Sequence, residues 1–318
     1  MAATSGVDPA FRADVLAGLA ARPRAIPARW FYDAHGSELF DAITRLAEYY
    51  PTRTETQLLS AVSAEVGRII GAARCVVEFG SGSSTKTPLL LNAVAPAAYV
   101  PVDISGEYLR TAAAGIAQRF PDLPVWPVEA DFTRPFALPP GAAALPKLGF
   151  FPGSTIGNFT PAAAVDLLRA MAQSLGRGAA LLIGIDRVKP VEILVPAYDD
   201  AAGITAAFNL NLLHRINREL DGDVPVDRFR HCARWNNIES RIEMHLEVTE
   251  DLSFTVAGQL FAMAAGETIH TENSHKYTAA AARLLLAAGG WTPTAEWSDP
   301  DGLFGVLLAE ARPVPAAP

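Results

Sequence analysis

The sequence predicts an α/β protein built on a doubly wound, mostly parallel sheet. Two observations carry that expectation. Short apolar runs alternate with helical stretches from residue 74 to 185, and those runs end on a glycine turn or lead to an aspartate. A third observation limits it: after Asp186 the rhythm gives way to a strictly alternating strand, so something of another kind is inserted.

The run at 74–79 ends in Gly80-Ser81-Gly82 and reads as a buried strand entering a tight turn. A helix is expected over 88–94, a second strand over 98–102 ending at Asp103, a helix over 106–120, and a third strand over 125–128 leading to Asp131. The fourth strand is 147–151, followed by a glycine-bearing loop at 153–159. Residues 161–175 carry a proline in the first turn and an apolar stripe, which predicts a helix, and 179–185 is the fifth strand. Beyond it, 191–218 reads as helical. Residues 241–248 place Ile242, Met244, Leu246 and Val248 on one face and Arg241, Glu243, His245 and Glu247 on the other, the pattern of a half-buried antiparallel strand. Residues 252–263 are its expected partner. A helix over 279–288 and strands over 291–297 and 303–310 complete the chain, and the 312–318 tail reads as a frayed end. The expected organisation is an α/β domain from 54–187 and 278–318, with a second domain from 1–53 and 188–277.

Bulk properties exclude several classes. Lysine and arginine number 26 against 34 acidic residues, a formal charge of -8, which disfavours tracking a phosphate backbone; no nucleic-acid partner is expected. The cysteines, Cys75 and Cys232, form neither a disulfide framework nor a zinc pattern. No apolar run reaches membrane-spanning length, and the first ten residues lack a signal layout. A cytoplasmic monomer with no membrane attachment is expected.

Three signals fall at successive strand ends, where open parallel sheets bind ligands. Gly80 and Gly82 let the backbone approach a ligand closely. Asp103 can accept both hydroxyls of a ribose. Asp131 with Phe132 can hold an adenine by hydrogen bond and stacking. Read singly, the glycines are an ordinary turn, the aspartates are helix caps and Phe132 is core. Read jointly, they form a nucleotide-like cofactor site. The nicotinamide alternative stays open on fold, but Ser84 and Thr85 stand where further glycines of that pattern belong.

Several segments resemble one family, the histidine-specific Nα-methyltransferases of ergothioneine biosynthesis. They are Arg29-Trp30-Phe31-Tyr32-Asp33, Gly36-Ser37-Glu38-Leu39-Phe40-Asp41, Glu48-Tyr49-Tyr50-Pro51-Thr52-Arg53 and the stretch 78–87. Further on come Phe151-Pro152-Gly153-Ser154-Thr155-Ile156-Gly157-Asn158, Ala197-Tyr198-Asp199-Asp200, Ala233-Arg234-Trp235-Asn236 and Thr271-Glu272-Asn273-Ser274. The resemblance implies a class I methyltransferase (Rossmann-like) fold carrying an α+β substrate-binding domain. It implies S-adenosylmethionine as co-substrate and no metal. Gly80, Lys86, Asp103, Asp131 and Phe132 match positions that hold the cofactor, with Tyr32 and Phe40 closing over it. Tyr49, Asn158 and Tyr198 match positions that hold the amino-acid end of histidine, and Gly153 and Asn273 are further expected substrate-binding residues. Glu272 and Ser274 match those facing the imidazole, and Met244 matches a residue lining that pocket. Asn158 and Tyr32 are the expected catalytic pair, orienting the amine and routing its protons. The implied product is the trimethylated betaine, hercynine.

Other readings remain. Met244 on an apolar strand face is by default core filler. Tyr49 and Tyr50 read equally as packing residues, and Tyr198 as an ordinary helix residue. Glu272 between His270 and His275 invites a metal, but the spacing repeats on no helix face. Two further functions stay in view: a silent binder of cofactor or amino acid, and an N-methyltransferase of another amine such as tryptophan.

Overall fold

The computed structural model describes residues 8–82, 86–104 and 106–311. The first seven residues, Ser84 and Thr85 of the glycine turn, and the 312–318 tail lie outside the described residues. In chain order the elements are α1 (Pro9–Ala20), β1 (Arg24–Ala25), α2 (Ala34–Ile43), α3 (Tyr50–Ile70), β2 (Cys75–Phe79), α4 (Thr87–Val94), β3 (Ala98–Asp103) and α5 (Gly106–Arg119). Then come β4 (Val128–Glu129), α6 (Pro140–Ala143), β5 (Lys147–Phe151), α7 (Pro161–Leu175), β6 (Ala180–Asp186), α8 (Val191–Leu194) and α9 (Ile204–Glu219). The chain continues through β7 (Phe229–Asn236), β8 (Arg241–Val248), β9 (Leu252–Val256), β10 (Gln259–Met263), β11 (Thr268–His275), α10 (Ala279–Ala288), β12 (Trp291–Ser298) and β13 (Phe304–Ala311). Contacts divide it into two compact units. Unit 1 is Met1–Tyr50 with Lys189–His275, and unit 2 is Pro51–Val188 with Lys276–Pro318.

Unit 2 holds, among the described residues, a seven-stranded sheet in the order β12-β13-β6-β5-β2-β3-β4. The strands β2 to β6 run parallel, while β13 and β12 close the edge antiparallel. The chain therefore winds outward in both directions from β2 and β5, whose carboxyl ends form the switch point. Successive residues feed opposite faces. Val77, Phe79, Phe151 and Ile183 pack with Leu167, Leu168 and Met171 of α7, whereas Val76, Phe150 and Leu182 pack with Leu59, Val62 and Val66 of α3. Each such side chain contributes roughly 1.5–3 kcal/mol by leaving water. Helix starts are written locally: Pro161 opens α7 behind Thr160, whose hydroxyl accepts the N–H of Ala163, and Thr278 caps α10 through Ala281 at 3.1 Å. The third strand is shorter than expected. Val125 makes only an isolated bridge to Tyr99, and regular pairing begins at Val128, because Pro127 has no N–H to give the ladder.

Unit 1 holds, among the described residues, a four-stranded sheet in the order β1-β11-β8-β7 and a separate hairpin, β9–β10. Two expectations are corrected here. Residues 191–218 are not one helix: α8 stops at Leu194, and α9 starts only at Ile204 after Gly203 takes φ +75°. Pro196 interrupts the first, and the Asp200 carboxylate accepts the N–H groups of Ile204 (3.0 Å) and Thr205 (2.7 Å), fixing the start of the second. Residues 252–263 do not pair with β8. Both edges of β8 are taken, by β7 and β11, and the segment folds on itself through Ala257 and Gly258, whose positive φ angles suit a two-residue hairpin turn.

Candidate active site

The cofactor candidates of unit 2 gather at the carboxyl ends of its parallel strands. Gly80 follows β2 with φ +67°, and a Cβ there would touch the Phe132 ring at 3.5 Å, so the backbone passes close to the ring. Asp103 is the last residue of β3, and its carboxylate accepts the N–H of Gly82 at 3.3 Å. Asp131 accepts from the Thr133 N–H (3.0 Å) and hydroxyl (2.6 Å), a local turn that leaves its second oxygen outside those two bonds. Phe132 stands edge-on to Phe79 and Phe151, with centroids 6.3 and 6.0 Å away. Behind the turn Glu78 is fully buried. Burial pushes its carboxyl up to about 7, while hydroxyl bonds from Tyr99 (2.5 Å) and Thr87 (2.7 Å) pull the other way.

Lys86 precedes α4 and ion-pairs with Glu55 of α3. Glu55 also receives the N–H of Gly153 on both oxygens, at 2.9 and 2.8 Å. One buried carboxylate thus joins the start of α4 to the loop after β5. Gly184 on β6 makes room for it, since a Cβ there would lie 1.9 Å from Glu55 Oε1. Sequence reasoning missed Glu55. The available signal was a charge on the helix stripe formed by Leu58, Leu59, Val62 and Val66. Ser154, at φ +54°, receives the N–H of Asp186 on its hydroxyl at 2.9 Å, and the following 3₁₀ turn, Thr155–Asn158, ends on half-buried Asn158.

The remaining candidates lie in unit 1. A cavity there is lined by Phe40, Ile43, Tyr49, Ala197, Tyr198, Thr205, Phe208, Met244 and Glu272. Its aromatic side is a run of edge-on rings: Tyr32 to Phe40 at 5.6 Å, Phe40 to Tyr49 at 6.4 Å, and Tyr49 to Tyr198 at 6.1 Å. Tyr198 sits in the loop between α8 and α9, not in a helix, and its hydroxyl pairs with the Ser274 hydroxyl at 2.7 Å. Met244 and Glu272 are directly opposed across β8 and β11. The strand alternation that sends Glu272 and Ser274 to one face sends Asn273 to the other, opposite Glu243. The structure therefore does not bring Asn273 to the cavity. On that other face Glu243 is held down to about 2: burial works against its charge, but bonds from Asn236 and Arg241 outweigh it. His245 and His270 stack there at 4.8 Å, and burial lowers the pKa of both.

Chemically, unit 2 offers two strand-end carboxylates, a paired ammonium and a close-approach turn. Unit 1 offers an aromatic lining suited to a cation and a carboxylate suited to an N–H. Among the described residues no group of three or more His, Cys, Asp or Glu side chains converges as a metal would need, and no helix is long and apolar enough to cross a membrane.

Residues 11–311 match the family model described as histidine-specific methyltransferase, SAM-dependent. The chain is 45% identical to a histidine N-alpha-methyltransferase of Mycolicibacterium smegmatis over 97% of both chains. It is 43% identical to a histidine N-alpha-methyltransferase of Mycobacterium tuberculosis over 94% of both. An L-tryptophan methyltransferase of Psilocybe serbica is similar at 25% identity, over 96% of this chain and 94% of that one. With matches spanning nearly all of its length, the chain belongs to the histidine-specific, S-adenosylmethionine-dependent methyltransferases.

Proposed function

We propose that this enzyme transfers three methyl groups in succession from S-adenosylmethionine to the α-amine of L-histidine, giving hercynine, a step of ergothioneine biosynthesis. The observation that carries the substrate is the unit 1 cavity, where an aromatic lining meets Glu272 and the Tyr198–Ser274 hydroxyl pair. Each transfer is an in-line displacement. The amine lone pair attacks the sulfonium methyl, the carbon–sulfur bond pair stays on sulfur, and S-adenosylhomocysteine leaves neutral. The methylated ammonium then loses a proton before the next round. The third product is quaternary and keeps its charge, which ring faces tolerate. Such a step asks little acid–base help and much alignment.

In this reading Gly80, Lys86, Asp103, Asp131 and Phe132 of unit 2 hold the cofactor. Tyr49, Gly153, Asn158 and Tyr198 hold the amino-acid end, with Asn158 and Tyr32 orienting the amine. Glu272 accepts the imidazole N–H, Ser274 donates to the other ring nitrogen, and Met244 limits the space. The net charge of -8 speaks against nucleic-acid partners, and the free cysteines fit a reducing cytoplasm.

The test is a panel. The protein is incubated with S-adenosylmethionine and each amino acid, and products are weighed by mass spectrometry. Histidine gaining three methyls is the expected result; gain on another amino acid with none on histidine would overturn it.

A further inference from the structure

Beneath the unit 1 cavity lies a buried polar network that the chemistry above does not use. Its centre is Asn209 of α9, fully buried. The Asn209 side-chain amide donates to the carbonyl of His245 at 3.1 Å and lies 2.9 Å from His231 Nδ1. Its Oδ1 accepts the Thr271 hydroxyl at 2.8 Å, and that hydroxyl also lies 3.0 Å from the carbonyl of Met244. His231 Nε2 lies 2.7 Å from the carbonyl of Tyr198.

Carbonyls only accept, and this fixes the protons on Asn209 and His231, while the single Thr271 hydroxyl proton is shared between two acceptors, Asn209 Oδ1 and the Met244 carbonyl. The His245 carbonyl requires the NH₂ of Asn209 on its side. The Tyr198 carbonyl requires N–H at His231 Nε2, so Nδ1 of the neutral ring carries the lone pair that receives Asn209. Burial favours that neutral ring, against the pull of the nearby Asp199 and Asp200 carboxylates. Of the three carbonyl ends, those of Tyr198 and Met244 belong to the cavity's frame, and the third is that of His245. Tyr198 and Met244 line the cavity, and Thr271 occupies the bulge between His270 and Glu272 that sets which way Glu272 faces.

We propose that Asn209 is a positioning residue for the amino-acid cavity, setting Tyr198 through His231, and Met244 and Glu272 through Thr271. The inference rests on the functional reading above. Its logic is geometric: no single-point substitution of Asn209 supplies one acceptor and two donors at those places, and even the isosteric Asp supplies no donor.

The experiment compares the parent with Asn209→Asp, Thr271→Val and Thr271→Ser. It measures KM for histidine, kcat, calorimetric affinity for S-adenosylhomocysteine, and the His231 tautomer by long-range proton–nitrogen spectra. In the parent, His231 is expected as the neutral Nε2–H form. Asn209→Asp is expected to raise the histidine KM about ten-fold or more, to leave the S-adenosylhomocysteine affinity unchanged, and to turn His231 into the doubly protonated ring facing a carboxylate. Thr271→Val is expected to raise KM while keeping the parent tautomer, and Thr271→Ser to restore the parent KM. An unchanged histidine KM in a folded Asn209→Asp or Thr271→Val protein overturns the proposal, as does parallel loss of histidine and cofactor affinity, the mark of general unfolding. Should the parent fail to methylate histidine, the functional reading falls and takes this inference with it; failure of the variants against an active parent sinks the inference alone.

Discussion

The two units build their binding groups in different ways. Unit 2 uses strand ends: Gly80 follows β2, Asp103 ends β3, and Gly153 follows β5 after one residue, so the parallel sheet itself lines the groups up. Unit 1 uses side chains on an antiparallel sheet and a loop, held in place by buried polar bonds such as those of Asn209 and the Tyr198–Ser274 pair. The first kind of site follows from topology and tolerates change in its surroundings. The second depends on every partner being satisfied, because an unpaired polar group in a closed space costs more than a pair contributes.

The largest effect expected from that contrast concerns selectivity. A neutral imidazole offers one N–H donor and one nitrogen acceptor, matching Glu272 and Ser274. Phenylalanine offers neither the donor nor the acceptor, and sites built to hydrogen-bond a polar group reject the analogue lacking it by about 10⁴–10⁵. Glu272→Ala combined with Met244→Val removes the charge and opens space, so the double variant should lose histidine and admit tryptophan. Competition between histidine and tryptophan, with both products quantified, checks it; a double variant that keeps its histidine preference would place specificity elsewhere.

Next in size is alignment. Asn158→Ala should lower kcat by about 10²-fold, the scale of a small misplacement of reacting groups. It should leave cofactor affinity nearly unchanged. Single-turnover kinetics with saturating histidine read this directly, and a variant at the parent rate would reduce Asn158 to a loop-former.

A smaller effect separates the units by pH. His231, His245 and His270 of unit 1 all have pKa values lowered, first by burial. Unfolded histidines titrate near about 6.5, so below that pH the unfolded state binds more protons and unit 1 loses stability as pH falls. Glu78 of unit 2 is shifted the other way, to about 7, so between that value and the ordinary carboxylate range the folded state binds the extra proton. Its contribution grows as pH falls through that window and is lost as pH rises through about 7. Hydrogen exchange, corrected for intrinsic rates, should show unit 1 amides losing protection on going from about pH 7.5 to about pH 5.5, with the Glu78 region holding or gaining. Equal loss in both would contradict the assignment of these groups.

The same contrast explains what was legible in the sequence. Strands β2, β3, β5 and β6 announce themselves as apolar runs closing on glycine or aspartate, because a strand buried on both faces can hold little else. The strands β7 and β11 do not: Arg230, His231 and Arg234 in one, and His270, Glu272, Asn273 and Ser274 in the other, break any apolar pattern, and both strands went unread. Their pairing with β8 is what pushed the 252–263 segment into a hairpin of its own. Glu55 and Asn209 were invisible for a related reason. Their partners are mainly backbone N–H and C=O groups and side chains far away in sequence, and a polar residue on an apolar helix stripe gives only a hint of such bonds.

The division of labour between the units is tested most directly by a crossed titration. Asp103→Ala and Glu272→Ala are each titrated calorimetrically with S-adenosylhomocysteine and, separately, with histidine in the presence of that product. Asp103→Ala should weaken the nucleoside product by about 1.5–3 kcal/mol, the scale of hydrogen bonds to a charged group. Glu272→Ala should leave that affinity at the parent value and lose histidine instead. If Glu272→Ala weakened the nucleoside product, or Asp103→Ala left it untouched, the assignment of cofactor to the parallel-strand ends and of amino acid to the unit 1 cavity would be contradicted.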